Sequence, residues 1–254
     1  MSGRRFWQCK VLTLTHKIFL YRTGEEGRTQ GVNQGKSYGY GALRYAYSQF
    51  CSLANKQLYM QTQTQKRYYT PEEYLQLEES AEFKNEYRDG EIVPMTGGTT
   101  NHNKIALNFC RKFPLTVKGQ NYEIFIGDVR LWIPRYRLYT YPDIMVIQGE
   151  AVYQGTGTTT VTNPLMIVEV LSKSTKDYDR TDKFKYYRSI PEFKEYILID
   201  QYSFYIEQFN KNLQGKWVLT EYESENAVLA LESIEFQIQF SALYQRVNFD
   251  ANEE

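Results

Sequence analysis

Sustained patterning of apolar and polar positions begins abruptly near Tyr69. Thr70-Pro71-Glu72-Glu73 combines a capping residue, a proline suited to the first helical turn and two early acids, and Tyr74, Leu75 and Leu77 follow, which predicts a helix over 71–79. Asn85-Glu86-Tyr87-Arg88 and Glu91-Ile92-Val93-Pro94-Met95 flank Asp89-Gly90, the pair that suits a type I′ turn, and so predict a hairpin. Ile105, Phe109 and Phe113 repeat every four residues after the cap-rich Thr100-Asn101-His102-Asn103, predicting a second helix over 102–114. Extended runs follow at 122–126, 129–133, 143–147 and 165–171, with a polar surface loop, Gly155 to Thr160, between the last two. A further helix is expected over 177–189, with Phe184 and Tyr187 on one face with Arg180 and Pro191 as its stop. Strands are expected at 195–200 and 202–206, and β-rich sequence continues to about 239.

Residues 1–59 lack this patterning and carry a Gly-rich middle from Gly24 to Gly41. The whole chain balances 30 basic against 30 acidic residues, yet the leader holds +7 and residues 60–254 hold −7. A boundary is expected at about 60–68. The leader reads either as a basic arm that grips nucleic acid through phosphate contacts or as a disordered or adventitious extension, with Met60 and the polar residues after it as a natural start. The domain proper is then 60–254. Its 42% apolar and 24% charged residues, counted over the 254-residue chain, exclude wholesale disorder and a general basic coat. No stretch approaches the roughly 18 apolar residues of a membrane span, and the N-terminus lacks signal-peptide order. Cys9, Cys51 and Cys110 are odd in number and widely spaced, as expected of free thiols in a reducing, cytoplasmic compartment.

Glu169 is the most informative residue. It interrupts Leu165-Met166-Ile167-Val168-Glu169-Val170-Leu171, a run suited to a central strand buried on both faces. A carboxylate there is costly unless a cation compensates, so Glu169 reads as a buried salt bridge, a solvated strand end or a metal ligand. Asp143, after Pro142 at the entrance of the preceding strand, supplies a second carboxylate. Two such acids on adjacent strands suit Mg²⁺ or Mn²⁺, which take one or two carboxylates and leave the rest of the shell to water and phosphate. That is the chemistry of metal-assisted phosphodiester hydrolysis.

From Tyr69 to Leu213 the chain resembles the Uma-type restriction endonuclease family of the PD-(D/E)XK nuclease superfamily. The resemblance rests on Tyr69 to Leu75, Asn85 to Glu91, His102, Pro142-Asp143, Val168 to Ser172, the Asp179 to Tyr187 helix, and Glu195-Tyr196 with Asp200, in that order and spacing. It implies an α/β, restriction-endonuclease-like fold with a mixed β-sheet core flanked by helices. It also implies a metal held by Asp143 and Glu169, with Glu86 as a third acid near it, and a DNA endonuclease activity.

The superfamily's usual lysine two positions beyond the second acid is absent, since Leu171 stands there. In the Uma-type pattern Lys183, on the following helix, takes its place, to orient the attacking water or stabilise the phosphorane. Lys183 also reads as an ordinary surface partner of Asp179 at i, i+4, and Lys185 is a weaker candidate on another face. His102 reads as a site residue near the scissile phosphate or as a loop residue at a helix start. Glu86 has a plain reading as a strand residue paired with Arg88 or Lys84, and Tyr186 and Tyr187 read as packing. The negative balance of 60–254 requires DNA affinity to come from a local cleft, from homodimerisation or from the leader. The competing readings are a non-catalytic nuclease fold that binds nucleic acid or a protein partner, and a hydrolase of small phosphate esters.

Overall fold

Helix α1, Pro71–Glu79, opens on a complete capping box in the computed structural model, which describes residues 67–250. The Thr70 hydroxyl accepts from the Glu73 amide and the Glu73 carboxylate accepts from the Thr70 amide, so two donors of the first turn are satisfied reciprocally. The hairpin of β1 (Asn85–Arg88) and β2 (Glu91–Pro94) turns at Asp89-Gly90 with φ of 43° and 102°, the two positive values a type I′ turn requires. Helix α2, Thr100–Lys112, starts two residues before its expected position because Thr99 is its cap, accepting from the His102 amide. The leader, Cys9, Cys51 and most of the boundary expected at 60–68 lie outside the described residues. Cys110 is a free thiol on α2, half-buried and pushed up to about 11 by burial.

Seven strands form the main sheet, in the order β12 (Trp217–Tyr222), β11 (Ile206–Lys211), β10 (Glu195–Asp200), β9 (Met166–Leu171), β7 (Ile144–Gln148), β4 (Gln120–Ile126) and β3 (Thr116–Val117). Only the β9–β10 pair in it is parallel. A second sheet runs β2, β1, β6 (Leu138–Thr140), β5 (Arg130–Ile133) and β8 (Thr160–Val161), and β13 (Val228–Leu231) pairs with β14 (Phe236–Gln239). The architecture is the α/β, mixed-sheet arrangement flanked by helices that the motifs imply.

All six residues of β9 are buried, as its unbroken apolar run requires. Met166, Val168 and Val170 join a core with Ile105 and Phe109 of α2, while Ile167 and Leu171 face Tyr187, Phe193 and Tyr196 on the other side. Glu169 shares the second face by strand alternation.

Three expectations need correction. The 177–189 helix is broken into α3 (Lys176–Tyr178), a π-helical turn over Asp179–Lys183 and α4 (Phe184–Tyr187). The Tyr196 hydroxyl donates to the Asp179 carbonyl (3.0 Å), which competes with regular helical bonding at that point. Residues 202–205 turn before β11 begins: the Asp200 carboxylate accepts from the Tyr202 amide, and the Tyr205 amide bonds the Ser203 carbonyl. The polar loop ends one residue early, because Thr160 and Val161 pair with Arg130 and Leu131. The described residues belong to one compact unit, and among them no helix is long and apolar enough to cross a membrane.

Candidate functional site

Asp143 and Glu169 meet where β7 begins beside β9. The two strands are antiparallel, with Ile144 opposite Val168, so the residue before β7 lies against the second half of β9. Each acid is then fixed by the other's strand. The Asp143 amide donates to Glu169 Oε2 (3.2 Å), and the Val170 amide donates to Asp143 Oδ2 (2.8 Å). His102 Nε2 donates to the same Asp143 oxygen at 2.9 Å.

The N-terminus of α2 is tied to this spot by a short chain of bonds. The Thr99 hydroxyl, which caps the helix, also bonds Gln201 Oε1, and the Gln201 amide donates to the Leu171 carbonyl at the end of β9 (2.7 Å). Gly98 completes the seat of His102: a Cβ at this position would stand 3.0 Å from the imidazole Nδ1, tighter than ordinary contact.

The opposite flank of Glu169 is supplied by the broken helix. Lys183 Nζ donates to Glu169 Oε1 (3.0 Å) and lies 3.0 Å from Asp179 Oδ1, while the Tyr187 hydroxyl donates to the same Glu169 oxygen (2.8 Å). Residues 179, 183 and 187 are four apart, so they share one inward face. The surface reading of the Asp179–Lys183 pair fails, because the side chains are only 3% and 8% exposed. It also excluded nothing, since Lys183 serves both acids at once. The sequence reading treated Tyr187 as packing and Asp179 only as a partner. Their signal was the i, i+4 spacing on either side of Lys183.

The electrostatics follow from three neighbouring carboxylates, of which Glu169 and Asp179 pair with Lys183 and Asp143 with His102. Burial pushes Glu169 well above the usual carboxylate range; Lys183 pulls it down, and Asp143 and Asp179 push it up again. Burial also acts to raise Asp143, but the bond and charge of His102, then Lys183 and the Val170 amide, outweigh it and hold Asp143 low. Burial acts to lower Lys183, yet Glu169, Asp179 and Glu86 outweigh it and hold Lys183 well above its ordinary value, which favours its charged form. His102 is raised because the Asp143 bond and charge exceed its burial penalty.

This donor set fits a hard divalent cation. Both bonds to Asp143 fall on Oδ2 and the side chain is 23% exposed, so its other oxygen is open to a ligand, and the site carries more carboxylates than cations. The fit is to a pair of acids. Among the described residues no three of His, Cys, Asp and Glu are arranged to hold a metal. Glu86 is buried on β1, where it accepts from Arg88 Nε (2.9 Å) and from the Thr140 hydroxyl. Lys84 pairs with Asp128 instead. Lys185 is exposed and lies against Tyr136 and Tyr186, away from these acids.

The sequence profile of the Uma2 family, described as "Putative restriction endonuclease", matches residues 71–243. The chain belongs to this family. Two Synechocystis sp. proteins with the printed name "Uncharacterized protein" resemble it along most of their lengths. One, sll1609, is 45% identical over 158 residues, 62% of this chain and 89% of its own. The other, slr1290, is 35% identical over 180 residues, 71% of this chain and 93% of its own. A crystal structure of "a putative nuclease belonging to DUF820" from Anabaena variabilis matches with a TM-score of 0.54 at 16% identity, covering 69% of this chain and 97% of that one. At that identity the likeness is one of fold, restriction-endonuclease-like. In this Uma2-family chain the ammonium arrives from the helical segment after β9, while Leu171, where the superfamily lysine is expected, is a buried core residue.

Proposed function

We propose that this Uma2-family protein is a metal-dependent endonuclease that hydrolyses DNA phosphodiester bonds. The observation that carries the reading is the pair Asp143 and Glu169, each carboxylate held by an amide of the other's strand segment, with the buried Lys183 ammonium on Glu169. A structural salt bridge needs one acid per cation. Here Lys183 serves two acids, Glu169 and Asp179, and Asp143 beside them is paired only with His102, so the site holds more carboxylates than fixed cations, an arrangement that suits a further cation.

Asp143 and Glu169 would hold Mg²⁺ or Mn²⁺, which when bound supplies a more acidic water and neutralises charge on the phosphodiester. The remaining work falls to the chain. Lys183, whose charged form its paired acids favour, is the positive charge that orients the attacking water or offsets the charge of the phosphorane. Tyr187 keeps the Glu169 carboxylate in one orientation. His102 fixes Asp143 through Oδ2 and turns its other oxygen outward. Glu86 acts at longer range, through the negative charge it sets near Lys183 and through its hold on Arg88.

The test is cleavage of plasmid and single-stranded DNA with Mg²⁺ or Mn²⁺, comparing the wild type with Asp143→Ala and Glu169→Gln. Metal-dependent cutting lost in both variants is expected. Equal cutting by all three proteins would remove the assignment, and turnover of small phosphodiesters without any on DNA would move the substrate class.

A further inference from the structure

Arg88, Arg135, Arg137 and Lys185 converge on one cavity of about 300 Å³. Against a net −7 over residues 60–254, this is a concentrated reversal of sign. The four cations are not equivalent. Arg88 is paired with Glu86, and Arg137 with Asp89 (3.0 Å). Arg135 and Lys185 are exposed, and among the described residues neither has a carboxylate within ion-pair distance. Their charged groups lie instead 5.7 and 5.8 Å from the ring of Tyr136, which meets the Tyr186 ring at 4.7 Å. Stacking on aromatic faces steadies a cation without neutralising it, so both charges stay available to an anion.

We infer that this cavity holds a backbone phosphate of the DNA strand beside the cleaved bond; the inference rests on the nuclease reading above. Position supports it. The Arg88 guanidinium lies 4.0 Å from the Tyr178 ring, and the same ring is 5.7 Å from Lys183 Nζ, so one aromatic side chain links the cavity to the carboxylate site. The Tyr178 hydroxyl, buried without a hydrogen-bond partner among the described residues, sits at this junction. Chemistry supports it too. Guanidinium forks match phosphate oxygens, and a protein whose body is acidic needs its positive charge placed locally to give a strand register over the site. The cavity is thus the local cleft that the charge balance demanded.

The test uses the full chain and a fluorescent DNA duplex, with Ca²⁺ in place of Mg²⁺, and measures affinity as salt is varied. In the double variant Arg135→Ala/Lys185→Ala, affinity at low salt should fall about tenfold or more, and the slope of log affinity against log salt should shrink by about 1 to 2. Arg111→Ala/Lys112→Ala removes the same charge from the far end of α2 and should leave both quantities near wild type. All four side chains are exposed, so melting curves should stay unchanged. Wild-type affinity and slope in the cavity variant would overturn the cavity and leave the nuclease reading standing. Equal losses in the two double variants would reduce the effect to net charge and overturn it as well. A wild-type chain that neither binds nor cuts DNA would remove the nuclease reading, and the cavity with it.

Discussion

Glu169 and Glu195 are both buried glutamates on the adjacent parallel strands β9 and β10, 2% and 0% exposed, yet their surroundings differ in kind. Glu195 accepts from the Ser233 amide (3.0 Å) and hydroxyl, the Glu232 amide (3.2 Å) and the Gln208 amide group. Its donors are neutral, and they tie β10 to β11 and to the turn between β13 and β14. Glu169 is met by an ammonium and a phenol, with two further carboxylates bearing on it. Burial of a carboxylate is therefore no mark of a site in itself. A carboxylate saturated by neutral donors is a strut, whereas one crowded by others of its own sign is poised for a cation.

The sharpest way to break this contrast is Glu169→Gln. It should lower metal-dependent cleavage by about 10³-fold or more, the several kcal/mol that a positioned metal supplies. Without metal its melting temperature should equal or exceed that of the wild type, because an ionisable group leaves a buried, crowded place. A variant that melts far lower and still cuts would make Glu169 the strut.

Glu195→Ala should do the reverse. Stranding several buried donors costs about 3 kcal/mol or more, a fall of about 6–12 °C in a domain of this size. Cleavage per folded molecule should hold at temperatures below the transition. Calorimetry beside a single-temperature assay separates the two effects, and a selective loss of cleavage would refute the division of roles.

Lys183→Ala sharpens the comparison from the cation's side. Turnover should fall about 10²-fold, and stability by about 3 kcal/mol, because Glu169 and Asp179 lose their shared partner in a buried place. Isothermal titration should still detect Mn²⁺ binding. If metal binding vanished together with turnover, Lys183 would be a support for Glu169 and no more.

The smallest effect is on pH dependence. Burial raises Glu195 above its ordinary 4.5, outweighing the bonds from Ser233, Gln208 and Glu232. A carboxyl whose folded pKa lies above the unfolded value contributes stability that is full below the unfolded value and is lost as pH rises through the folded one. Glu195→Gln does not titrate at this position. The advantage of the wild type over it should thus shrink as pH rises from about 4 toward neutrality. Melting temperatures of the two proteins across that range check the sign, and a widening gap would contradict it.

The local elements were largely legible along the chain, because their determinants are neighbours in sequence. Thr70 and Glu73 make a capping box within four residues, Asp89-Gly90 fixes a hairpin by its own backbone, and the run from Met166 to Leu171 announces a strand buried on both faces. Asp143 and Glu169 could be named from residue type and strand position, and Lys183 and His102 through the family resemblance, and the fold brings all four into one hydrogen-bonded cluster. Glu86 could be named too, but it stays on β1 with Arg88 and Thr140, as its short-range strand pattern already allowed.

What sequence could not decide was set by contacts between distant elements. The π-helical turn depends on a tyrosine from β10 reaching the Asp179 carbonyl, and periodicity within the helix carries no trace of that donor. Whether Lys183 paired at the surface or in the interior turned on where that face came to lie, and the packing against β9 answered it. The cationic cavity draws on β1, the loop after β5 and the helical turn after β9, stretches far apart along the chain that only the fold brings together. The division between Glu169 and Glu195 was of the same origin. Both are glutamates within or at the start of apolar strands, and only their neighbours across the fold, one set charged and the other neutral, distinguish the proposed site from the strut.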